Sequence, residues 1–363
     1  MRFKSVFLAL IITQMVTLFF NHPSFSQIKT LNGGSISEQQ MDKVLKEKMH
    51  AFHIPGLSIA FINEGRVVYQ RTFGMADLKN GKKVDAQTLF EAASLTKPVF
   101  AYFTLRMAEK GVLQLDTPLY KYLPPQDFDY DERYKLITAR MVLDHTSGLP
   151  NWRSDNQGME MNIAFTPGTA FSYSGEAYYY LAKVIARLTG TNLVSISHLL
   201  QQEVFRPLNM QHAYVVWDNS LQQHMALGYD EKWQQRKLWK PKVFNAASSL
   251  LTEAGSYANF LIALMNEKGL SPERFKDMLQ QHVALPTDNI IRKHFGYAAW
   301  GLGIAMRPSP YGMLYCHGGT NEDFESAFML SKDLKAGYVF FINTNKGIQM
   351  NTAIEQLMVT GIR

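Results

Sequence analysis

Gly56-Leu-Ser-Ile-Ala-Phe-Ile62 and Arg66-Val-Val-Tyr-Gln-Arg-Thr-Phe73 read as two strands joined by Asn63-Glu64-Gly65. Their β-branched and aromatic residues suit a pleated, half-buried surface, and a short connection ending in Gly favours an antiparallel hairpin. Strand signals then lapse and return towards the other end of the chain. They lie in Gly303-Ile-Ala-Met306, Met313-Leu-Tyr-Cys316, Ser326-Ala-Phe-Met-Leu330 and Gly337-Tyr-Val-Phe-Phe-Ile342. Helical periodicity marks residues 37–52, where Met41, Val44, Leu45 and Met49 share a face. A second helix begins near Ser94 and stops at Gly111, and a third lies within residues 245–267. A final helix starts at about Asn351, whereas residues 112–240 are helical and loop-like, with turns such as Pro124-Pro125 and Ser147-Gly148. Strands at both ends around a helical middle predict an α/β fold of the α+β sandwich type. One antiparallel sheet, flanked by helices and completed by both ends of the chain, carries an inserted, mainly helical domain. The expected division is 27–115 with 245–363 for the sandwich and 116–244 for the insertion.

The first 26 residues have another character. Arg2 and Lys4 precede an apolar run from Val6 to Phe20, and Ser24 and Ser26 occupy the −3 and −1 positions of a cut after Ser26. That is the layout of a secretory signal peptide, too short in its apolar core for a stable span. An uncleaved N-terminal anchor is the alternative. Cleavage predicts a periplasmic or secreted protein with no stable membrane insertion, and lowers the net charge from +6 to +4. A balance that close to neutral points to no particular partner.

With 46% hydrophobic residues in 363, the chain is globular rather than disordered or fibrous. Cys316 is the only cysteine, which excludes a disulfide framework and Cys-based metal sites. The ten histidines lack ligand spacing; His50 and His53 have no third partner nearby, so neither metal nor cofactor is expected. There is no G-x-S-x-G, H-E-x-x-H or Walker-type loop. Lys232-Trp-Gln-Gln-Arg-Lys-Leu-Trp-Lys-Pro-Lys242 interleaves basic and aromatic residues as nucleic-acid binders do. In an exported chain it reads instead as a solvated hairpin or loop, with no nucleic-acid partner.

The chemistry lies in Phe90-Glu-Ala-Ala-Ser94-Leu-Thr-Lys97-Pro98. Ser94 and Lys97, three apart at the start of a helix, share a face. A serine hydroxyl needs a base, and a lysine whose pKa is depressed by burial or nearby positive charge can be one. Free N–H groups and the positive dipole end at a helix start favour a developing oxyanion. S-x-x-K alone is a weak pattern, since Ser26-Gln-Ile-Lys29 also matches it across the cleavage site.

Four further strings follow in order: Leu115-Asp-Thr-Pro118 through Tyr122-Leu-Pro124, Leu143-Asp-His-Thr-Ser-Gly-Leu-Pro150, Pro167-Gly-Thr-Ala-Phe-Ser-Tyr173-Ser, and His317-Gly-Gly-Thr320. With Thr88–Lys97, this series resembles the serine β-lactamase-like superfamily, which holds class C β-lactamases, D,D-peptidases and related esterases and D-aminopeptidases. The resemblance covers roughly residues 37–360. It implies that Ser94 is the acylated nucleophile, Lys97 its base partner and Tyr173 the proton-shuttling tyrosine. Tyr257-Ala-Asn259 is a literal Y-x-N, but Tyr257 falls on an apolar helical stripe and reads as core. His317-Gly318-Gly319 matches the H-x-G form of the third motif, and the Thr320 N–H becomes the second oxyanion donor beside that of Ser94. Cys316, adjacent on a strand, is expected on the opposite face from His317. His145 is expected to order its loop.

Position 175 departs from the pattern. The family has an Asn there that bonds the amide of a β-lactam or peptide side chain, and this chain has Gly175. A lost hydrogen bond costs about 0.5–1.5 kcal/mol, so the expected activity is an esterase-like serine hydrolase acting on a small ester or amide. A β-lactamase, D,D-carboxypeptidase or D-aminopeptidase, with a cell-wall peptide among its substrates, is the alternative. A penicillin- or cell-wall-binding protein that acylates without turnover is the rival from another class.

Overall fold

The computed structural model describes residues 27–362. The expected signal peptide, with its expected cut after Ser26, lies outside the described residues.

The opening hairpin forms between strands Gly56–Asn63 and Arg66–Asp77, with Asn63 opposite Arg66. Glu64 and Gly65 connect them, both with positive φ (53° and 69°), the backbone that a tight hairpin with the native strand twist demands. The hairpin belongs to a nine-stranded, wholly antiparallel sheet. From one edge, its strands run Lys82–Lys83, Arg66–Asp77, Gly56–Asn63, Ala336–Ile342, Phe324–Ser331, Gly312–Asn321, Ala305–Ser309, Ala299–Trp300 and Val283–Ala284. The seam that unites the two ends of the chain sets Leu57 opposite Ile342 and Ile62 opposite Gly337. The antiparallel sheet built from both ends is therefore present.

Period-2 alternation gives the sheet two buried faces. Leu57, Ile59, Phe61, Tyr338 and Phe340 point to one side and meet Met41 and Leu45 of helix Glu38–Phe52 and Ile354 of helix Gly347–Thr360. Ala60, Ile62, Val339 and Phe341 point to the other side, joined by helices Thr96–Glu109, Gly175–Leu188 and Ala254–Met265. Burying each large apolar side chain is worth about 1.5–3 kcal/mol. These two layers hold a fold whose single thiol, Cys316, is unpaired. Phe100 and Tyr178 meet at 6.0 Å between ring centroids, fastening helix Gly175–Leu188 from the middle of the chain to the helix that follows Ser94.

The structure corrects several element boundaries. The final helix starts at Gly347, four residues before Asn351, because the Gly347 N–H donates to the Glu325 carboxylate of a neighbouring strand. The strand read at 303–306 forms instead at Ala305–Ser309. Gly303 has φ +78°, and a Cβ there would collide with Ala101, so it is a tight approach to the Thr96–Glu109 helix rather than part of a strand. The helix expected within residues 245–267 is present as Ala254–Met265, starting where the Glu253 carboxylate caps the Gly255 and Ser256 N–H groups. The two-residue strands Lys82–Lys83, Val283–Ala284 and Ala299–Trp300 are too short to show alternation. Among the described residues, no helix is long and apolar enough to cross a membrane.

Candidate active site

Strand Phe90–Glu91 pairs with Leu251–Thr252 and turns sharply at Ala93, whose φ of +49° is unusual for a residue with a Cβ. A short 3-10 turn, Ala93–Leu95, then feeds the Thr96–Glu109 helix. Surrounding groups clamp this turn. The Ala92 N–H donates to Leu250 O (2.8 Å), the Ser326 hydroxyl to Ala92 O (2.9 Å) and the Thr96 hydroxyl to Ala93 O (2.6 Å). From Phe90 to Phe100, Ser94 is the one residue not buried. Such strain persists only where neighbours over-determine the backbone, as they do here.

Lys97 is wholly buried beneath it. Its Nζ donates to Ser94 Oγ at 3.2 Å and to the Ala247 carbonyl at 3.0 Å. The faces of Tyr173 and Tyr178 lie 4.6 and 5.6 Å from the same nitrogen. No carboxylate pairs with it among the described residues, and burial pulls its pKa down to about 7. A large fraction is then a free amine at neutral pH.

Tyr173 borders the same cavity as Ser94, and its phenol interacts with the serine hydroxyl. Burial pushes the phenol above its usual range, so it stays protonated. The next residue, Ser174, caps helix Gly175–Leu188 through the Ala177 N–H at 3.0 Å. His145 is stacked on the Tyr173 ring, and its Nδ1 accepts the Ser174 N–H at 3.0 Å. Burial and the nearby Lys97 hold His145 well below the ordinary histidine range, so the imidazole is neutral.

Strand Gly312–Asn321 forms the remaining wall. A Cβ on Gly319 would lie 2.5 Å from both Ala92 O and Ser326 Oγ and 3.2 Å from the Ser94 nitrogen. Only glycine lets the strand approach the Ser94 turn so closely. His317 is buried, with Nδ1 2.7 Å from the Gly318 carbonyl and Nε2 without a partner. Burial and Lys97 bring it down to about 3, so it too is neutral. Cys316 faces the other layer, buried and pushed up to about 12.

These residues enclose a cavity of about 380 Å³ bordered by Ser94, Tyr173, His317, Gly318, Gly319 and Thr320. The structure thus brings together every expected site residue but one. Gly175 does not border the cavity, because Asn151 and Trp152 stand in the way. A Cβ at 175 would sit 2.8 Å from Asn151 O and 3.0 Å from the Trp152 ring. The Gly175 N–H donates to Asn151 O (3.0 Å) and Asn151 Oδ1 (3.1 Å). Asn151, Trp152 and the Ala247 carbonyl were not expected at the site. The Leu-Pro-Asn-Trp turn offered the only sequence signal for the first two. Tyr257 is wholly buried, donating to Leu95 O at 2.9 Å beside the Ser94 turn. Among the described residues, no group of His, Cys, Asp and Glu is placed to hold a metal ion.

Fold and site together set a serine against a buried lysine at the edge of one cavity. Residues 41–359 match the Beta-lactamase family, and the chain belongs to it. It is 25% identical over 328 residues to Protein flp of Staphylococcus aureus (strain N315), covering 85% of this chain and 64% of that relative. The chain thus spans a little under two thirds of that relative's length. It is 29% identical over 211 residues to Esterase EstB of Burkholderia gladioli, covering 50% of this chain and 52% of that one. The fold is similar to that of the octameric penicillin-binding protein homologue from Pyrococcus abyssi (TM-score 0.74, 20% identity, 88% of this chain and 77% of that one). It is also similar to the D-alanine carboxypeptidase AmpC from Burkholderia cenocepacia (0.71, 19%, 87% and 98%). A class C beta-lactamase is a further match (0.72, 19%, 87% and 94%).

Proposed function

We propose that this chain is an exported serine hydrolase that cleaves a small ester or amide through a Ser94 acyl-enzyme, with esters preferred. The observation that carries the reading is the 3.2 Å bond between Ser94 and a buried lysine whose pKa lies near 7. Of the two groups touching Ser94, Lys97 is the base, because the Tyr173 phenol holds its proton more tightly than usual. Ser94 Oγ attacks the carbonyl carbon while its proton passes to Lys97 Nζ. The tetrahedral oxyanion rests between the Ser94 and Thr320 N–H groups. Collapse breaks the bond to the leaving group, which takes a proton through Tyr173. Water then attacks the acyl ester, releasing the acid and restoring the Ser94 hydroxyl. All these steps use the chain's own residues.

Ester preference rests on the filled space at Gly175, where a β-lactam or peptide amide would otherwise find an Asn side chain. The Burkholderia gladioli esterase relative supports the same ranking. Export rests on the pattern of residues 1–26. A fluorophosphonate label and a panel of short p-nitrophenyl esters beside nitrocefin test the reading with wild type and Ser94→Ala. Ser94-dependent labelling with ester turnover is expected. Absence of labelling overturns the enzyme, efficient nitrocefin cleavage without ester cleavage reverses the ranking, and one stoichiometric burst points to a binding protein.

A further inference from the structure

The basic run 232–242 is exposed as the sequence suggests, yet it is not featureless. It forms one wall of a second cavity, of about 1010 Å³, that shares Trp152 and Thr320 with the catalytic cavity. Lys237, Trp239, Lys240 and Lys242 border it. The loop is pinned at several points. The Arg236 N–H donates to Gly228 O (3.0 Å), the Trp217 N–H to Pro241 O (2.7 Å) and the Phe244 N–H to Leu193 O (2.7 Å).

Charge in this cavity is unevenly satisfied. The acidic side is partly offset: Glu322 and Asp323 share the single Arg236. Glu91 accepts from Asn321 Nδ2 at 2.9 Å, and burial raises it to about 7, leaving a good part uncharged at neutral pH. The basic side keeps its charge. Lys240 donates to the Gln222 amide oxygen (3.0 Å) and lies 4.9 Å from the Trp217 ring, neither of which is an anion. Lys237 and Lys242 have no carboxylate within ion-pair distance among the described residues. A long polyanion is a poor fit, because Glu322, Asp323 and Glu91 line the same space. A short anionic group suits three lysines beside an indole face.

We infer that the second cavity is an anion-recognising extension of the active site, which takes a substrate whose part beyond Trp152 and Thr320 carries a carboxylate. This rests on the Ser94 reading for turnover but not for binding. A focused positive potential beside the cleft also concentrates such a substrate, in a salt-dependent way.

Two matched pairs test it with the full chain: p-nitrophenyl valerate against mono-p-nitrophenyl glutarate, and phenyl acetate against 4-acetoxybenzoate. Wild type is compared with the Lys237→Glu, Lys240→Glu, Lys242→Glu triple variant. The charged member of at least one pair is expected to lose about tenfold or more in kcat/KM, while its neutral partner changes less than about twofold. Added salt should narrow the gap in wild type alone. In the Ser94→Ala background, glutarate is expected to quench tryptophan fluorescence saturably, and the triple variant to abolish this. Equal changes for charged and neutral members of both pairs, with no lysine-dependent quenching, overturn the inference. Loss of all ester turnover with the quenching intact indicts the Ser94 reading instead.

Discussion

The imidazole of His145 lies over the ring of Tyr173, with centroids 4.3 Å apart and planes inclined by 30°. Tyr178, Phe171 and Trp300 complete the aromatic enclosure around the imidazole, at 5.1, 5.8 and 5.3 Å. His145 thereby fixes the tyrosine that meets the serine, and by accepting the Ser174 N–H it also fixes the start of the helix that follows.

His145→Ala removes that support without touching substrate. Displacement of about 1 Å at a reacting group can cost on the order of 100-fold in rate, and a loss of that size in kcat, with KM little changed, is expected for p-nitrophenyl acetate. Stoichiometric fluorophosphonate labelling at high reagent concentration, with slowed kinetics, separates mispositioning from unfolding. An unchanged kcat in a folded variant would show that the stacking is incidental.

Lys97 must be unprotonated to accept the serine's proton. Because burial lowers its pKa to about 7, kcat/KM for a neutral ester should rise as pH climbs through about 7 and level off above it. Below that point Lys97 becomes protonated and the rate should fall progressively with it. His317, near 3, adds no limb around neutrality. Lys97→Met should erase the limb and lower the rate by about 10²–10⁴-fold.

Position 175 does not accept the family residue. Gly175→Asn forces a Cβ against Asn151 O and the Trp152 ring, and overpacking of this kind costs about 1–3 kcal/mol. Calorimetry should record a lower Tm, and nitrocefin cleavage should not increase. A gain in β-lactam turnover at unchanged Tm would mean that the loop yields freely.

Two tyrosines should behave in opposite ways. Tyr257→Phe deletes a buried hydroxyl bonded to Leu95 O, worth about 0.5–1.5 kcal/mol of stability. Its ester turnover should stay within a few-fold of wild type. Tyr173→Phe should abolish turnover at near-native Tm. The two urea midpoints and two rates decide the matter together.

Cys316 should resist thiol reagents until the chain unfolds, because the reactive thiolate is suppressed by a pKa near 12 and by burial. One equivalent of Ellman's reagent consumed only in denaturant is the expected result.

What was legible in the sequence was local or period-driven. Ser94 and Lys97 share a face because helical geometry makes i and i+3 neighbours, and the long strands announce themselves by alternation. The unread features depend on groups far apart in the chain. The Gly347 helix start answers to Glu325 on a strand, the Lys97 amine to the Ala247 carbonyl, and the Tyr173 ring to His145. The basic run showed its exposure but not the second cavity, since Trp152, Thr320 and the Glu322 that pairs with Arg236 come from other segments.

The seam between Gly56–Asn63 and Ala336–Ile342 also imposes an order in time. The glycine-lined strand pressed against the nucleophile's turn, and Ser326 that grips Ala92, arrive only after most of the polypeptide has been made. Pairings this remote in sequence are slow to form and stay uncommitted while the chain is still emerging. A ribosome-bound intermediate therefore carries Ser94 without the strand that walls it in. The Ser94 site is completed once, late and all together, as the last strands close the sheet.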